Sequence, residues 1–314
     1  SRFGGDAIFN GENRRRGAMI TYYLKSGKKE MDAEKKGAGN SGANEKESAP
    51  GEDNEGEDNE KMTRDSVVFK FYDGERLIRT LKYKTPDSAG LHRIYWGLDE
   101  GGAGRPYRSI RKRNREPGGP DVLPGTYKVV AHFGESADST TVKVASDPRL
   151  DIPQKALTDA YETSRKLEGW QQTAADAVRQ LIESKNIAEE YRKELKKKDE
   201  EAFKDPIAAS GEIVKQIDSL VALYIGKEDK RQGIVRNPEM TVMQRLSNAS
   251  GYSSSRPGGL TATERQLIRF AEADLQAALE KTNAFFTDRW EAYRDEMEAL
   301  EVTPFEETET FRLE

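Results

Sequence analysis

The chain has no cysteine. That absence excludes disulfide staples, thiol nucleophiles and cysteine-based zinc sites together. It leaves the compartment open, because many exported proteins lack cysteine while disulfide-dense secreted scaffolds never do. Histidine is almost as scarce, with only His92 and His132 available for imidazole chemistry. The Gly-x-Ser-x-Gly nucleophile motif and the phosphate-binding loop are both missing. No stretch approaches the roughly 20 apolar residues of a membrane span, and Ser1-Arg2-Phe3-Gly4-Gly5 has no signal-peptide layout. A net charge of −5 provides no overall basic field to attract nucleic acid or acidic lipid.

What is present suits two domains. A chain of 314 residues can bury two separate cores. Its apolar and charged fractions are nearly equal, 35% and 34%, so folded parts must alternate with segments too polar to pack.

The early part of the chain reads as short strands. Ala18 to Leu24 is rich in β-branched and aromatic residues and follows a polar turn region. Residues 25–64 then change to Gly, Asn, Ser, Lys and Glu, with eight acidic residues against one lysine between Asn44 and Glu60, and read as a disordered acidic insertion. Val67 to Tyr72 alternates apolar and other residues, and Asp73-Gly74 turns it into Leu77 to Tyr83. A further run spans Gly90 to Leu98, and a glycine- and arginine-rich loop covers Asp99 to Gly119. Leu123-Pro124-Gly125-Thr126 suits a type II turn with positive φ at Gly125, leading into Tyr127 to His132. Thr140 to Val144 completes six strands without an intervening helix, the pattern of an antiparallel sandwich.

At Asp147-Pro148-Arg149 the apolar period changes from about 2 to about 3.6. Leu157, Tyr161, Leu167, Ala174, Val178, Leu181, Ala188 and Leu195 then mark one helix between Pro153 and Phe203, with a phase slip at Gly169 where a bend is expected. Continuous, it would extend roughly 75 Å. Asp205-Pro206 is expected as an N-cap with proline in the first turn, opening a helix with Ile213, Ile217, Leu220 and Tyr224 and closing at Gly226. A short helix is expected near Val242 to Leu246. Thr261 to Glu264 is a capping-box sequence opening a third long helix, whose stripe runs from Leu267 through Ala271, Leu275, Phe286, Trp290 and Tyr293 to Leu300.

The segments Gly11-Glu12-Asn13 and Gly17 to Leu24, then Ala89 to Leu98 and Gly119 to Tyr127, resemble in order the region that follows the β-propeller in exported bacterial sortilin-like, BNR-repeat proteins. That family is often labelled glycosyl hydrolase. The likeness covers nearly the whole chain, with two departures: Arg14-Arg15-Arg16 replaces a proline-rich step, and the acidic insertion is longer. The resemblance implies an immunoglobulin-like β-sandwich followed by helices, export to the periplasm, cell surface or medium, and any catalytic residues in a propeller absent from this sequence.

The expectation is therefore a multidomain β-then-α chain, an antiparallel immunoglobulin-like β-sandwich followed by an antiparallel bundle of three long helices. Residues 1–16 form a connector from an upstream domain, residues 17–147 the sandwich and residues 148–314 the bundle. No catalytic, cofactor-binding or metal residue is assigned and no cofactor is expected. His92 and His132 lie in strands without evident partner ligands. Carboxylates are abundant, but most lie on helix faces or in the acidic insertion, so no glycosidase-like pair is assigned. The acidic stretch Glu52 to Glu60 could supply oxygen ligands to calcium but lacks EF-hand spacing, and it reads as a solvated spacer. The basic loop with Arg105, Arg108, Arg111, Lys112, Arg113 and Arg115 has a single aromatic, Tyr107, and reads as a solvated loop that meets an acidic surface rather than nucleic acid. Trp96, Tyr127, Trp170 and Trp290 could stack on sugar, but each falls in a periodic run and is expected in the core. The functional expectation is a non-catalytic structural and interaction module that docks on the preceding propeller and meets envelope or secreted proteins. The alternatives are an accessory domain of a secreted hydrolase and a glycan-binding surface adhesin.

Overall fold

The computed structural model describes residues 15–28, 65–110, 115–228, 239–256 and 258–300. Antiparallel β-sheets come first and a helical region follows. The chain divides into two compact units, Ser1–Gly102 with Asn114–Asp151, and Ala103–Arg113 with Ile152–Glu314. Most of the acidic insertion, residues 29–64, lies outside the described residues, as does the connector up to residue 14.

The β unit contains strands β1 (Ala18–Leu24), β2 (Ser66–Asp73), β3 (Arg76–Lys84), β4 (Gly90–Trp96), β5 (Asp99–Gly101), β6 (Gly118–Asp121), β7 (Gly125–Phe133) and β8 (Ser136–Val144). They form a four-stranded sheet of order β3-β2-β7-β8 and two two-stranded sheets, β1-β4 and β5-β6, all with antiparallel pairing. The β2–β3 turn is Gly74-Glu75, closed by the Asp73–Arg76 pair, and Gly74 takes a φ of 59°. Side chains from two sheets fill one core: Ile20, Leu24, Ile94 and Trp96 from β1 and β4 meet Val67, Phe69, Phe71 and Val129 from β2 and β7. Trp96 is fully buried and stacks on Phe71 at 4.6 Å between ring centroids. Gly17 at the entry to β1 has a φ of 109°, and a Cβ there would collide with the Trp96 carbonyl.

Two details correct the expectations. Gly125 does not take positive φ, so the expected type II turn does not form. Gly125 is instead the first residue of β7, paired with Val144, and the ladder requires extended backbone there. The bend before it is held by the Tyr127 hydroxyl, which donates to the Leu123 carbonyl at 2.6 Å. Strand β5 and the first half of β6 fall in the region read as loop, because three- and four-residue strands rich in glycine carry no alternation to detect.

The helical unit holds α1 (Gln154–Asp199), α2 (Lys204–Ile225), α3 (Val242–Ser253) and α4 (Ala262–Ala284), which runs through a π-helical segment, Phe285–Trp290, into α5 (Glu291–Glu298). Helix α1 is continuous through Gly169 for 46 residues, roughly 70 Å. Helix α2 begins one residue before Asp205, with Phe203 at the N-cap, so Asp205 lies in the first turn rather than capping it. The Phe203 N-cap makes no side-chain cap bond, while Asp199 at the end of α1 holds the connecting turn, its Oδ1 accepting from the backbone of Glu201 and Ala202 at 3.1 and 2.9 Å. Capping boxes open α3 at Thr241/Gln244 and α4 at Thr261/Glu264.

Leu181, Leu195, Ile217, Val221 and Ala271 are among the buried residues of the helical core. Two polar contacts pin α2 in that core. The Tyr224 hydroxyl lies 2.9 Å from Thr282 Oγ1, and Ser210 Oγ lies 3.0 Å from the Tyr293 hydroxyl. Burial pushes both tyrosine pKa values up.

The π segment has a sequence cause. Buried positions 271, 275, 278, 282 and 285 keep the 3–4 spacing, and the next position on that face would be Arg289. One extra residue in the turn moves Trp290, Tyr293 and Met297 onto the core side instead and leaves Arg289 exposed.

Candidate interaction surface

The residues singled out in the sequence are scattered. His92 on β4 tilts its ring against Tyr22 at 5.6 Å and places Nε2 3.0 Å from the Ser88 carbonyl. His132 on β7 belongs to the other sheet and pairs with Val68 and Ala137. Burial, then the charge of Lys70, lowers its pKa. Among the described residues no group of three or more His, Asp or Glu could hold a metal ion. The acidic stretch 52–60 lies outside them.

The aromatics do not form a platform. Trp96 and Tyr127 come together at 5.5 Å in the β core, and the Trp96 indole donates to the Asp99 carbonyl at 2.9 Å. Trp170 is half-buried, with Lys166 Nζ 4.5 Å above its ring. Trp290 sits between Phe286 and Tyr293.

The basic loop departs from the expectation of a solvated segment. Its described part belongs to the helical unit. The backbone N–H groups of Ala103 and Gly104 donate to Glu168 Oε2 and Gln172 Oε1 at 2.6 and 2.7 Å, and Gln171 donates back to the Gly104 carbonyl at 3.2 Å. Arg108 donates to the Gly226 carbonyl at the C-terminus of α2. A cation there complements the negative end of the helix dipole, so this arginine is engaged within the fold. Arg111, Lys112 and Arg113 lie outside the described residues. Loop composition reveals no partner for Gly104 or Arg108, and only the three-dimensional contacts do.

Arg79 is a structural residue that the sequence reading missed. Its guanidinium is buried and donates to the carbonyls of Glu100, at 3.1 Å, and Pro117, tying β3 to the segments that carry β5 and β6. Asp99 and Glu116 stand 3.6 and 4.0 Å away, while Arg79 Nε has no hydrogen-bond partner among the described residues. Beside it, Arg76 forms two hydrogen bonds to the buried Glu100 carboxylate at 2.9 and 2.8 Å. Burial raises the Asp99 pKa, opposed by the Arg79 charge. These arginine contacts join segments of the β unit, which marks a brace rather than an open site.

One exposed feature stands apart. The inner face of β1 and β4 buries Ile20, Leu24, Ile94 and Trp96, so the period-2 alternation turns Met19, Thr21 and Tyr23, with Leu91, Arg93 and Tyr95, to the other face. Register places Met19 opposite Tyr95, Thr21 opposite Arg93 and Tyr23 opposite Leu91. Met19, Tyr23 and Leu91 are 53%, 64% and 74% exposed, an unusual cost for three large apolar side chains on one sheet face. The Tyr95 hydroxyl donates to the Met19 sulfur at 3.5 Å, and the Arg15 guanidinium lies 5.2 Å from the Tyr95 ring centroid. Two apolar pairs, Met19 with Tyr95 and Tyr23 with Leu91, flank Thr21 and Arg93, with Arg15 beside Tyr95, and this face has the composition of a protein-binding patch, with aromatics and Arg together. It contains no nucleophile or general base. The signal was legible in the Met-Ile-Thr-Tyr-Tyr and Leu-His-Arg-Ile-Tyr runs, where apolar residues occupy both phases of the alternation.

No family model, curated protein or solved structure matches this chain. Among the described residues, no helix is long and apolar enough to cross a membrane.

Proposed function

We propose that this chain is a non-catalytic structural and interaction module, an immunoglobulin-like sandwich joined to an antiparallel bundle of three long helices. In this reading it is the C-terminal part of an exported sortilin-like β-propeller protein, and the outer face of β1 and β4 docks on the propeller. The observation that carries it is the group of exposed Met19, Tyr23 and Leu91 with half-buried Tyr95 on the sheet that contains the chain's first described strand. A domain placed before β1 meets that sheet first. Support for the sandwich comes from the core shared by the β1-β4 and four-stranded sheets, the buried Trp96, and Tyr127, whose hydroxyl bonds a carbonyl four residues upstream as in a tyrosine corner. The three long helical rods are α1, α2 and α4 with its extension through α5.

A photo-crosslinking side chain at Leu91, placed in the protein expressed with the sequence encoded before Ser1, tests the docking. It is expected to capture propeller segments, and Met19→Asp with Tyr23→Asp, both exposed on the same face, is expected to abolish that capture while leaving the fold intact. Lack of a propeller upstream, or crosslinks that never reach it, would refute the docking. Turnover of a glycoside or peptide by this chain alone would refute the non-catalytic assignment. Loss of binding to a particulate glycan on Tyr23→Ala would instead favour the accessory or adhesin role.

A further inference from the structure

The helical unit carries a second surface, independent of the β1-β4 face. A groove of about 560 Å³ opens between α2 and the helix that passes from α4 into the π segment. Leu220, Leu223, Ala284 and Phe285 supply its apolar lining. Its charged lining is Lys215, Lys281 and Arg289 against one carboxylate, Asp288. Lys215 is held by Glu212 on its own helix at 2.8 Å, whereas Lys281 and Arg289 have no ion pair among the described residues. Two unpaired cations beside apolar side chains form a local positive field on a chain whose net charge is −5.

The π turn creates this arrangement. Its extra residue carries Trp290 toward the core and rotates Arg289 to the solvent side, so that the groove wall carries a cation at the position regular α-helix would have buried. Single π turns inside α-helices recur at functional sites.

We infer that this groove binds an acidic peptide segment, one large apolar side chain entering between Leu220, Leu223 and Phe285 while flanking Asp or Glu residues pair with Lys281 and Arg289. The apolar anchor supplies desolvation and the cations supply register and on-rate. A nucleic acid would offer the negative charge but no apolar side chain for the groove.

The test is a selection of random 12-residue displayed peptides on the full chain, followed by fluorescence anisotropy of the enriched peptides. Enriched peptides are expected to hold an aromatic or leucine flanked by at least two carboxylates. Their binding is expected to weaken on the order of tenfold for Lys281→Glu with Arg289→Glu, and to weaken with added salt. Ala284→Trp, which fills the groove from an exposed position, is expected to abolish binding. All these positions are on the surface, and an unchanged far-UV spectrum verifies folding. Failure to enrich any peptide, enrichment of basic or uncharged peptides, or binding indifferent to both variants would overturn the inference.

Discussion

The pairing of Tyr224 with Thr282 allows a quantitative test of how the helical unit is held. Tyr224 is fully buried, and its hydroxyl meets Thr282 Oγ1 at 2.9 Å, while Thr282 Oγ1 also donates to the Ala278 carbonyl at 2.9 Å. The tyrosine is therefore the donor in the pair. Tyr224→Phe removes one net hydrogen bond and leaves the threonine satisfied by its own helix, a cost of about 1 kcal/mol. Thr282→Val is worse, because it strands a buried phenol without an acceptor, at about 2 to 3 kcal/mol. The double variant places Phe against Val with no orphaned polar group and is expected to cost only about 1 kcal/mol. The coupling, about 2 kcal/mol short of additivity, is what a shared buried bond must produce. Urea unfolding followed at 222 nm reports on the unit that holds the long helices. Additive single costs, or a Tyr224→Phe variant less stable than Thr282→Val, would refute the donor assignment and the buried geometry behind it.

Alkaline pH should act on the same unit. Burial raises the pKa of Tyr224 and Tyr293 above the ordinary phenol value of about 10, so the unfolded chain releases these protons first, and stability falls as pH rises past about 10. Below that pH both are neutral in either state and the contribution is complete. Tyr224→Phe with Tyr293→Phe is expected to flatten the dependence in urea titrations at pH 8 to 11, and an unchanged slope would contradict it. In the β unit, Arg79→Met leaves the Glu100 and Pro117 carbonyls without their donor and should cost about 3 kcal/mol or more by thermal unfolding. It should also raise the Asp99 pKa further by removing the charge that opposes its burial, a shift readable by carboxyl NMR titration.

Local pattern and assembled contacts contributed differently. Six strands were legible because short runs rich in β-branched and aromatic residues carry period-2 sets such as Val67, Phe69, Phe71 and Tyr127, Val129, Ala131, and the helices because Ala174, Val178 and Leu181, then Ile213, Ile217 and Leu220, recur at helical spacing. The capping box of Thr261 and Glu264 was legible for the same reason, since its two bonds span three residues. The Asp73-Gly74 hairpin needs only a glycine at positive φ. Arg79, Arg108 and the two short strands were not legible. Their partners lie 17 to 118 residues away, and no periodicity encodes a contact between positions so distant.

The chain's composition and apolar period thus determined by themselves that β-strands come first, that helices follow, and where most elements begin and end, because both properties are set by neighbours within a few residues. Tertiary structure alone decided that Ala103 to Ile110 leaves the strand region to bond α1, that Gly125 extends β7 instead of turning, and that a π turn brings Trp290 inward and Arg289 outward. Each of these outcomes follows from competition for buried space between distant segments, and that competition exists only once the chain has collapsed.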